Sequence, residues 1–447
     1  MWESCVSDLV HFRDGLRGAC TRWGDALFEL TDAVLCSPHG VGSVPELSLE
    51  PVFRRSHGSL YKALARGRID TDRLRRLLVA NRDNDWPLVF AVDASTWARC
   101  DAETSPDRGF YYSASKHSAG QPIVVGWSYQ WITQLNWARD SWTAPLDACR
   151  ITPTSNATTA TIEQVRGLVD LLPGNAEVPL FVFDAGYDAI ALGQELSGDR
   201  VQVLTRIRSD RVFYPDPDPK AAGAIGRPRR HGARFALSES HTYPAPDAEH
   251  YAHDERYGNV RVQAWREVHP KLNTRGHWRA HDTPPIVRGT VIRVDVEHLR
   301  NAAPGHHKIL WLWWSGPDAP NLDLLWRAYL RRFDIEHTFR FIKGTLGWTT
   351  PSLCTPEQAD RWTWLIVAGY TQLRLARDLV HHIRRPWERP HERPELTPAK
   401  VRRGFRRLQT TIGTPASPPK SNKPGPGRPK GTRKPPRTRY PTIKKAA

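Results

Sequence analysis

No run of 18 apolar residues occurs in the 447-residue sequence, so nothing in it has the length of a membrane-spanning helix. The opening stretch MWESCVSDLVHFRDGL is charged every few residues and lacks the apolar core of a signal peptide, which predicts a soluble protein. The six cysteines, Cys5, Cys20, Cys36, Cys100, Cys149 and Cys354, include no C-x-x-C pair. Neither a zinc site nor a disulfide framework follows from them, and reduced, mostly buried thiols are expected. His306 with His307 and His381 with His382 are the paired histidines, but neither pair has a second at metal-ligand spacing; surface or phosphate-contact roles suit them. Acids are scarce beside bases: 47 Asp plus Glu against 64 Lys plus Arg give a net charge of +17 and point to a polyanionic partner. Residues 414 to 447 hold ten of the bases and no acid, which leaves +7 on the rest. Arg far outnumbers Lys while Ala, Pro and Gly are plentiful, a bias that GC-rich coding explains, so arginine abundance by itself is discounted.

What is present is a run from Tyr329, YLRRFDIEHTFRFIK. At about 100° per residue, Tyr329, Arg332, Glu336 and Lys343 fall within an arc of roughly 60° on one continuous helix, with Arg340 on its border. Ile335, Phe339 and Ile342 repeat at core spacing on a different face. One carboxylate then stands among several cations away from the core, an arrangement suited to a metal-bound acid acting on a phosphodiester while Arg and Lys hold flanking phosphates. The alternative is a solvated helix face carrying salt bridges.

Two further stretches favour the first reading. LVFAVDAS, residues 88 to 95, is an apolar β-type run that carries Asp93 at its end, and PLFVFDAGYD, residues 179 to 188, carries Asp184 in the same way. Acids at the C-terminal ends of strands sit where α/β sheets bind ligands. Asp188 falls after the strand end, and a capping or structural role is expected for it.

These residues resemble the DDE transposases of bacterial insertion sequences, in particular the group with a Tyr-(2)-Arg-(3)-Glu-(6)-Lys signature, which Tyr329, Arg332, Glu336 and Lys343 match without a gap. The resemblance extends over about residues 86 to 380. It implies an α/β fold with a ribonuclease-H-like catalytic core interrupted by a β-rich insertion. It also implies that Asp93, Asp184 and Glu336 are both the catalytic acids and the metal ligands, for two Mg2+ ions that Mn2+ can replace. Tyr329, Arg332, Arg340 and Lys343 would contact DNA. The implied partners are terminal inverted repeats and target DNA, met by a homodimer, in a cytoplasmic, nucleoid-associated bacterial setting with no membrane. A nuclease on the same fold and a non-catalytic DNA-binding derivative are the competing readings.

Composition divides the chain into a helical N-terminal region (1–85), a first core part (86–208), a β-rich insertion (209–307), a second core part (308–385) and a basic Pro-rich tail (386–447). Within the first, LEPVFRRSHGSLYKALARGRIDTDRLRRLLVA suits either a helix-turn-helix that reads a terminal repeat or a helical cap on the core. Strands are expected at 88–93, 122–130, 131–137, 180–184 and 201–207, with helices over 158–172 and near 187–197, the βββαβαβ order of a ribonuclease-H-like sheet. Lys116 and His117 precede the second strand, in a turn that suits either phosphate approach or solvent. In the insertion, Trp265 and Trp278 are read either as buried sheet aromatics or as the base-stacking tryptophan found in relatives that excise through hairpins, a contact worth about 1 to 3 kcal/mol. KILWLWWSG then returns the chain to the core. Thr355, Pro356 and Gln358 form a capping box opening a helix to about Val380, whose Trp364, Leu365, Ala368 and Leu375 should face the sheet. LTPAKVRRGFRRLQ reads as one more basic helix. The last segment should be disordered. Gly427, Arg428 and Pro429 within it weakly resemble a minor-groove hook, since Pro426 replaces the expected Arg, and the tail is read as a nonspecific DNA arm that includes Arg428.

Overall fold

The computed structural model describes residues 2–113, 122–138, 140–174, 177–220, 225–298, 309–388, 396–420, 431 and 436–444. Lys116, His117, His306, His307 and Arg428 lie outside these residues. In chain order the elements are α1 (Trp2–Ala19), β1 (Cys20–Arg22), α2 (Gly24–Cys36), α3 (Val44–Leu47), α4 (His57–Arg66), β2 (Arg68–Ile69), α5 (Thr71–Ala80) and β3 (Val89–Ala98). Next come β4 (Gly109–Tyr112), β5 (Ile123–Leu135), β6 (Thr143–Ile151), α6 (Ala157–Val169), β7 (Leu180–Phe183), α7 (Ala189–Glu195) and β8 (Gln202–Ile207). Then follow β9 (Val212–Tyr214), β10 (Phe235–Ala236), β11 (Ala248–Asp254), β12 (Gly258–Pro270), β13 (Gly289–Val296) and β14 (Ile309–Ser315). The chain continues with α8 (Leu322–Arg331), α9 (Asp334–Gly344), α10 (Pro356–Leu375) and α11 (Pro398–Ile412). They form two compact units, neither contiguous in sequence. The first is Met1–Pro87, Ala94–Asn156 and Asp334–Ala447; the second is Leu88–Asp93 and Ala157–Phe333.

In the first unit the N-terminal helices pack around α10, which is buried on nearly every side. Such a helix must satisfy its polar groups internally. Gln372 of α10 accepts from Arg13 at 2.6 Å, and Arg13 also grips Asp32 of α2 through two bonds of 2.7 and 2.8 Å. The capping box is formed: Thr355 accepts from the Gln358 N–H, and the Gln358 side chain accepts from the Cys354 N–H at 2.9 Å. The helix ends at Leu375, five residues short of the expected Val380, and Leu375 is only partly covered, whereas Trp364, Leu365 and Ala368 are buried. The basic helix expected near the tail is α11, and it belongs to this core: Val401 and Phe405 are fully buried, and Arg402 donates to the last-turn carbonyl of Val34 on α2 at 3.0 and 2.8 Å.

Three sequence expectations are corrected here. The stretch 122–137 is a single strand, β5, whose first half pairs with β4 and whose second half pairs with β6. The third strand is TAPLDACRI, concealed in the sequence by Pro145 and Asp147, two residues strands disfavour. Asp147 is tolerated because Arg75 of α5 donates to it at 2.9 Å. Residues 436–444 of the last segment, expected to be disordered, are placed on the first unit. Residues 436–444 pair with the loop before β4, Tyr440 N–H donating to Glu103 at 2.8 Å, Ile443 N–H to the Arg108 carbonyl at 2.8 Å and the buried Arg108 guanidinium to the Tyr440 carbonyl at 3.0 Å. Finally, Cys20 and Cys36 are buried as expected, but Cys100 and Cys354 are exposed.

The second unit is a sheet. Residues Val89 to Val92 of β3 run parallel to β7, and β7 runs parallel to β8; α6 leads into β7 and α7 connects β7 to β8. Beyond β8 the sheet turns antiparallel through β14, β13 and β12, with β11 and β9 both pairing with β12. The β-rich residues between 209 and 307 therefore extend the same sheet, joined to β8 by the apolar strand β14. Phe213, Phe235, Trp265, Trp311 and Trp313 make the core of this extension. Asp188 caps α7, accepting from the Ala191 N–H at 3.1 Å, as its position after the strand predicts. The mixed α/β architecture is consistent with the ribonuclease-H-like class expected.

Candidate active site

In the parallel register of β3 and β7, Val92 is paired with Phe183. The next residue in each case is an acid, so Asp93 and Asp184 stand side by side where the parallel pairing ends; Asp184 follows the end of β7, whereas β3 runs on to Ala98 and Asp93 lies within it, not at its end as expected. Arg332, just past α8, joins them. Its Nη1 donates to Asp93 Oδ2 at 3.1 Å, and its Nη2 lies 3.8 Å from Asp184 Oδ1. The Arg332 and Asp93 side chains are 11% and 17% exposed, Asp184 42%, so the pair presents one covered and one open carboxylate. Asp184 is further fixed by the Ala185 N–H at 2.7 Å.

Two tyrosines and one arginine complete this edge. Burial and then the charge of Asp93 hold the Tyr187 hydroxyl well above its ordinary pKa, with Arg332 opposing, so it remains a neutral donor. Burial likewise raises Tyr329, against the charges of Arg332 and Arg206, and the Arg332 guanidinium lies 6.0 Å from its ring. Tyr187 and Arg206 were not singled out from the sequence. Tyr187 had a signal, being the tyrosine of D-A-G-Y-D; Arg206 is the exposed alternate position between buried Thr205 and Ile207 on β8.

The remaining signature residues stand on α9, in the first unit. Ile335, Phe339 and Ile342 are buried as the periodicity requires, Phe339 against Trp131 at 5.9 Å, and Thr338 shares a 2.8 Å hydrogen bond with Thr143 of β6. Glu336, Arg340 and Lys343, at offsets of 0, 4 and 7, share the opposite side. Lys343 Nζ lies 5.8 Å and 5.7 Å from the Phe339 and Trp348 rings. Glu336 is half-buried and has no hydrogen-bond or ion-pair partner among the described residues.

The expectation of one continuous helix is therefore wrong. Helix α8 ends at Arg331, Arg332 is its C-cap, and α9 starts at Asp334. The four signature residues divide into Tyr329 and Arg332 in one unit and Glu336 and Lys343 in the other. Periodicity sees only spacing, and no Gly or Pro marks this break; Asp334 opens the new helix with an acid in its first turn, where the helix dipole favours one.

Of the two readings of Trp265 and Trp278, the structure favours the buried aromatic over the base-stacking one. Trp265 is 2% exposed, its Nε1 donates to the Pro244 carbonyl at 2.9 Å, and its ring meets Phe235, Tyr243 and Trp311. Trp278 is 5% exposed in a short turn, packed with Ala191 and Val287 and 4.7 Å from the His277 ring. Neither presents a face to a base.

Among the described residues no three His, Cys, Asp or Glu group as a metal cluster. The acidic pair Asp93 and Asp184 nevertheless already faces a cation, the Arg332 guanidinium, and its all-oxygen donors are of the kind hard divalent ions take. Residues 11–271, more than half of the chain, match the family described as DDE superfamily endonuclease. The chain belongs to that family. For a DDE superfamily endonuclease, a nuclease-type enzyme, Asp93 and Asp184 lie inside the matched residues, whereas Tyr329, Arg332, Glu336 and Lys343 lie beyond them. No curated protein matches this family member. No helix among its described residues is long and apolar enough to cross a membrane.

Proposed function

We propose that this DDE superfamily endonuclease is a DNA transposase of the insertion-sequence type, which cuts element ends and joins them to target DNA by phosphodiester hydrolysis and transesterification. The observation that carries the reading is the placement of Asp93 and Asp184 side by side, just past the last paired residues of two adjacent parallel strands, around one cation. The intact Tyr-Arg-Glu-Lys spacing adds to it, as does the carboxylate of Glu336, which has no partner among the described residues. Asp93, Asp184 and Glu336 are the residues that would hold two magnesium ions, or manganese in their place. Such ions, when bound, supply Lewis-acid charge stabilisation and a nucleophilic oxygen at neutral pH.

The chain's own groups do the rest. Arg332 fixes the direction of both aspartates. Tyr187 and Tyr329, kept neutral, offer hydroxyl donors beside them, and Arg206 brings an exposed cation to the same edge for phosphate. On α9, Arg340 and Lys343 hold phosphates on the side of the helix that carries Glu336. Because an element has two ends, the protein works on terminal repeats as a homodimer.

Asp93→Ala, Asp184→Ala and Glu336→Ala each abolish cleavage of terminal-repeat DNA while leaving DNA binding largely intact, since these groups act on the reacting phosphate and not on the duplex. A correctly folded member of the three that cleaves at near the parent rate is thereby removed from the site.

A further inference from the structure

A groove in the first unit carries charge that the active site does not use. It has a volume of about 830 Å3 and is lined by six arginines, Arg22, Arg66, Arg68, Arg75, Arg150 and Arg361, against two acids, Glu357 and Asp360. Half of the arginines are committed to the fold. Arg75 donates to Asp147 at 2.9 Å, Arg150 to Asp360 at 3.0 Å, and Arg361 to the last-turn carbonyls of α4, Leu64 at 2.6 Å and Ala65 at 3.2 Å. Asp360 is further bound by the Tyr129 hydroxyl at 2.7 Å, so its charge is answered from within.

The other three are not committed. Arg22, Arg66 and Arg68 are exposed, and their side chains have no hydrogen-bond or ion-pair partner among the described residues. Their backbone positions are nevertheless set by the fold. Arg22 and Arg68 are direct cross-strand partners in the β1–β2 pair, and Gly67, with no room for a Cβ against the Ala63 carbonyl, makes the close turn that sets Arg66 beside Arg68. Like charges directly opposite each other on paired strands are destabilising unless a counter-charge lies between them. No acid of the groove takes that place.

We infer that this groove binds the phosphodiester backbone of duplex DNA, with Arg22, Arg66 and Arg68 as its phosphate contacts. The inference rests on the DNA-acting reading above and adds a second contact surface to it. The groove offers cations without a free ring: Trp364, the aromatic residue lining it, already has Arg75 over its face at 5.1 Å. Single-strand binding needs a stacking platform, whereas backbone contacts to a duplex need only placed donors.

The experiment measures the affinity of the full chain for labelled duplexes of two unrelated sequences, and for one strand of each alone, across a salt series, comparing the parent with the triple variant R22A/R66A/R68A. Each phosphate contact contributes about 0.9 to the slope of log affinity against log salt. The expected result is a slope smaller by about 3 and an affinity at least about tenfold lower, equal for both sequences, with the triple lysine variant returning most of the slope. An unchanged slope in the alanine variant, with the parent binding well, overturns the groove and leaves the transposase reading standing. A loss confined to one sequence overturns the backbone assignment, and a loss confined to single-stranded DNA overturns the duplex. A parent chain that binds no DNA overturns both readings. If the triple variant does not fold, R66E alone, at an exposed helix end, is compared instead, with a slope smaller by about 1 expected and an unchanged slope overturning the groove.

Discussion

Arg332 donates to Asp93 at 3.1 Å while lying 3.8 Å from Asp184, so one guanidinium serves as counter-charge to two carboxylates that the sheet register forces together. Removing it leaves neighbouring acids facing each other. Arg332→Ala should lower metal-free stability by about 1.5 to 3 kcal/mol, the usual worth of a hydrogen bond to a charged group. It should also make the melting temperature rise more steeply with added magnesium than the parent's does, because a cation then relieves the repulsion. Thermal melts across a magnesium series check this, and identical magnesium responses would show that Arg332 is not the counter-charge.

Trp265 should behave as a core residue. Its replacement by alanine removes a ring packed against Phe235, Tyr243 and Trp311 and should cost about 3 to 5 kcal/mol, with Trp265→Phe costing less. Urea denaturation measures both. A stable Trp265→Ala protein that has lost only DNA affinity would restore the base-stacking role.

The thiols should divide by burial. Desolvation pushes Cys20 and Cys36 up to about 12, and Cys149 up to about 12 with Asp147 adding to the effect. A thiol with a raised pKa is almost wholly protonated at pH 8 and reacts slowly. Brief alkylation of the native protein at that pH, read by mass spectrometry, should mark the exposed Cys100 and Cys354 and spare those three. Early labelling of Cys20 or Cys36 would contradict their burial.

The C-terminal segment should matter to stability as well as to DNA. Truncation after residue 435 removes the Tyr440 carbonyl and leaves the buried Arg108 guanidinium without that acceptor, at a cost of about 1 to 3 kcal/mol. Melting the truncated and full-length chains side by side tests it; equal melting temperatures would mean the segment does not hold Arg108. Deleting residues 414–447 should additionally weaken binding to all DNA sequences alike and flatten its salt dependence.

Asp93 and Asp184 could be found from sequence because each ends a short apolar run, a pattern local to a few residues. Their register could not, since it depends on how β3 aligns with a strand some 90 residues away. Strand β6 was hidden for a related reason: the arginine that makes Asp147 tolerable lies on α5, far off in sequence. The break after α8 left no Gly or Pro to read. Trp265 was legible as a β-strand aromatic, but the rings covering it come from Phe235, Tyr243 and Trp311, which no local pattern brings together.

The burial of α10 on nearly every side bears on the order in which the chain can fold during synthesis. The helices it packs among, α1, α2 and α4, leave the ribosome some 300 residues before it does. Those helices can pack on one another before then, but until Pro356 to Leu375 emerge the sides turned to α10 lack their cover, and Leu35, which lies against Gly369, is left without it. Domains that form early on a nascent chain need all their parts early. The first unit cannot be one of these; its core closes only when most of the protein has been made, and a chain halted before α10 should be held by chaperones or degraded.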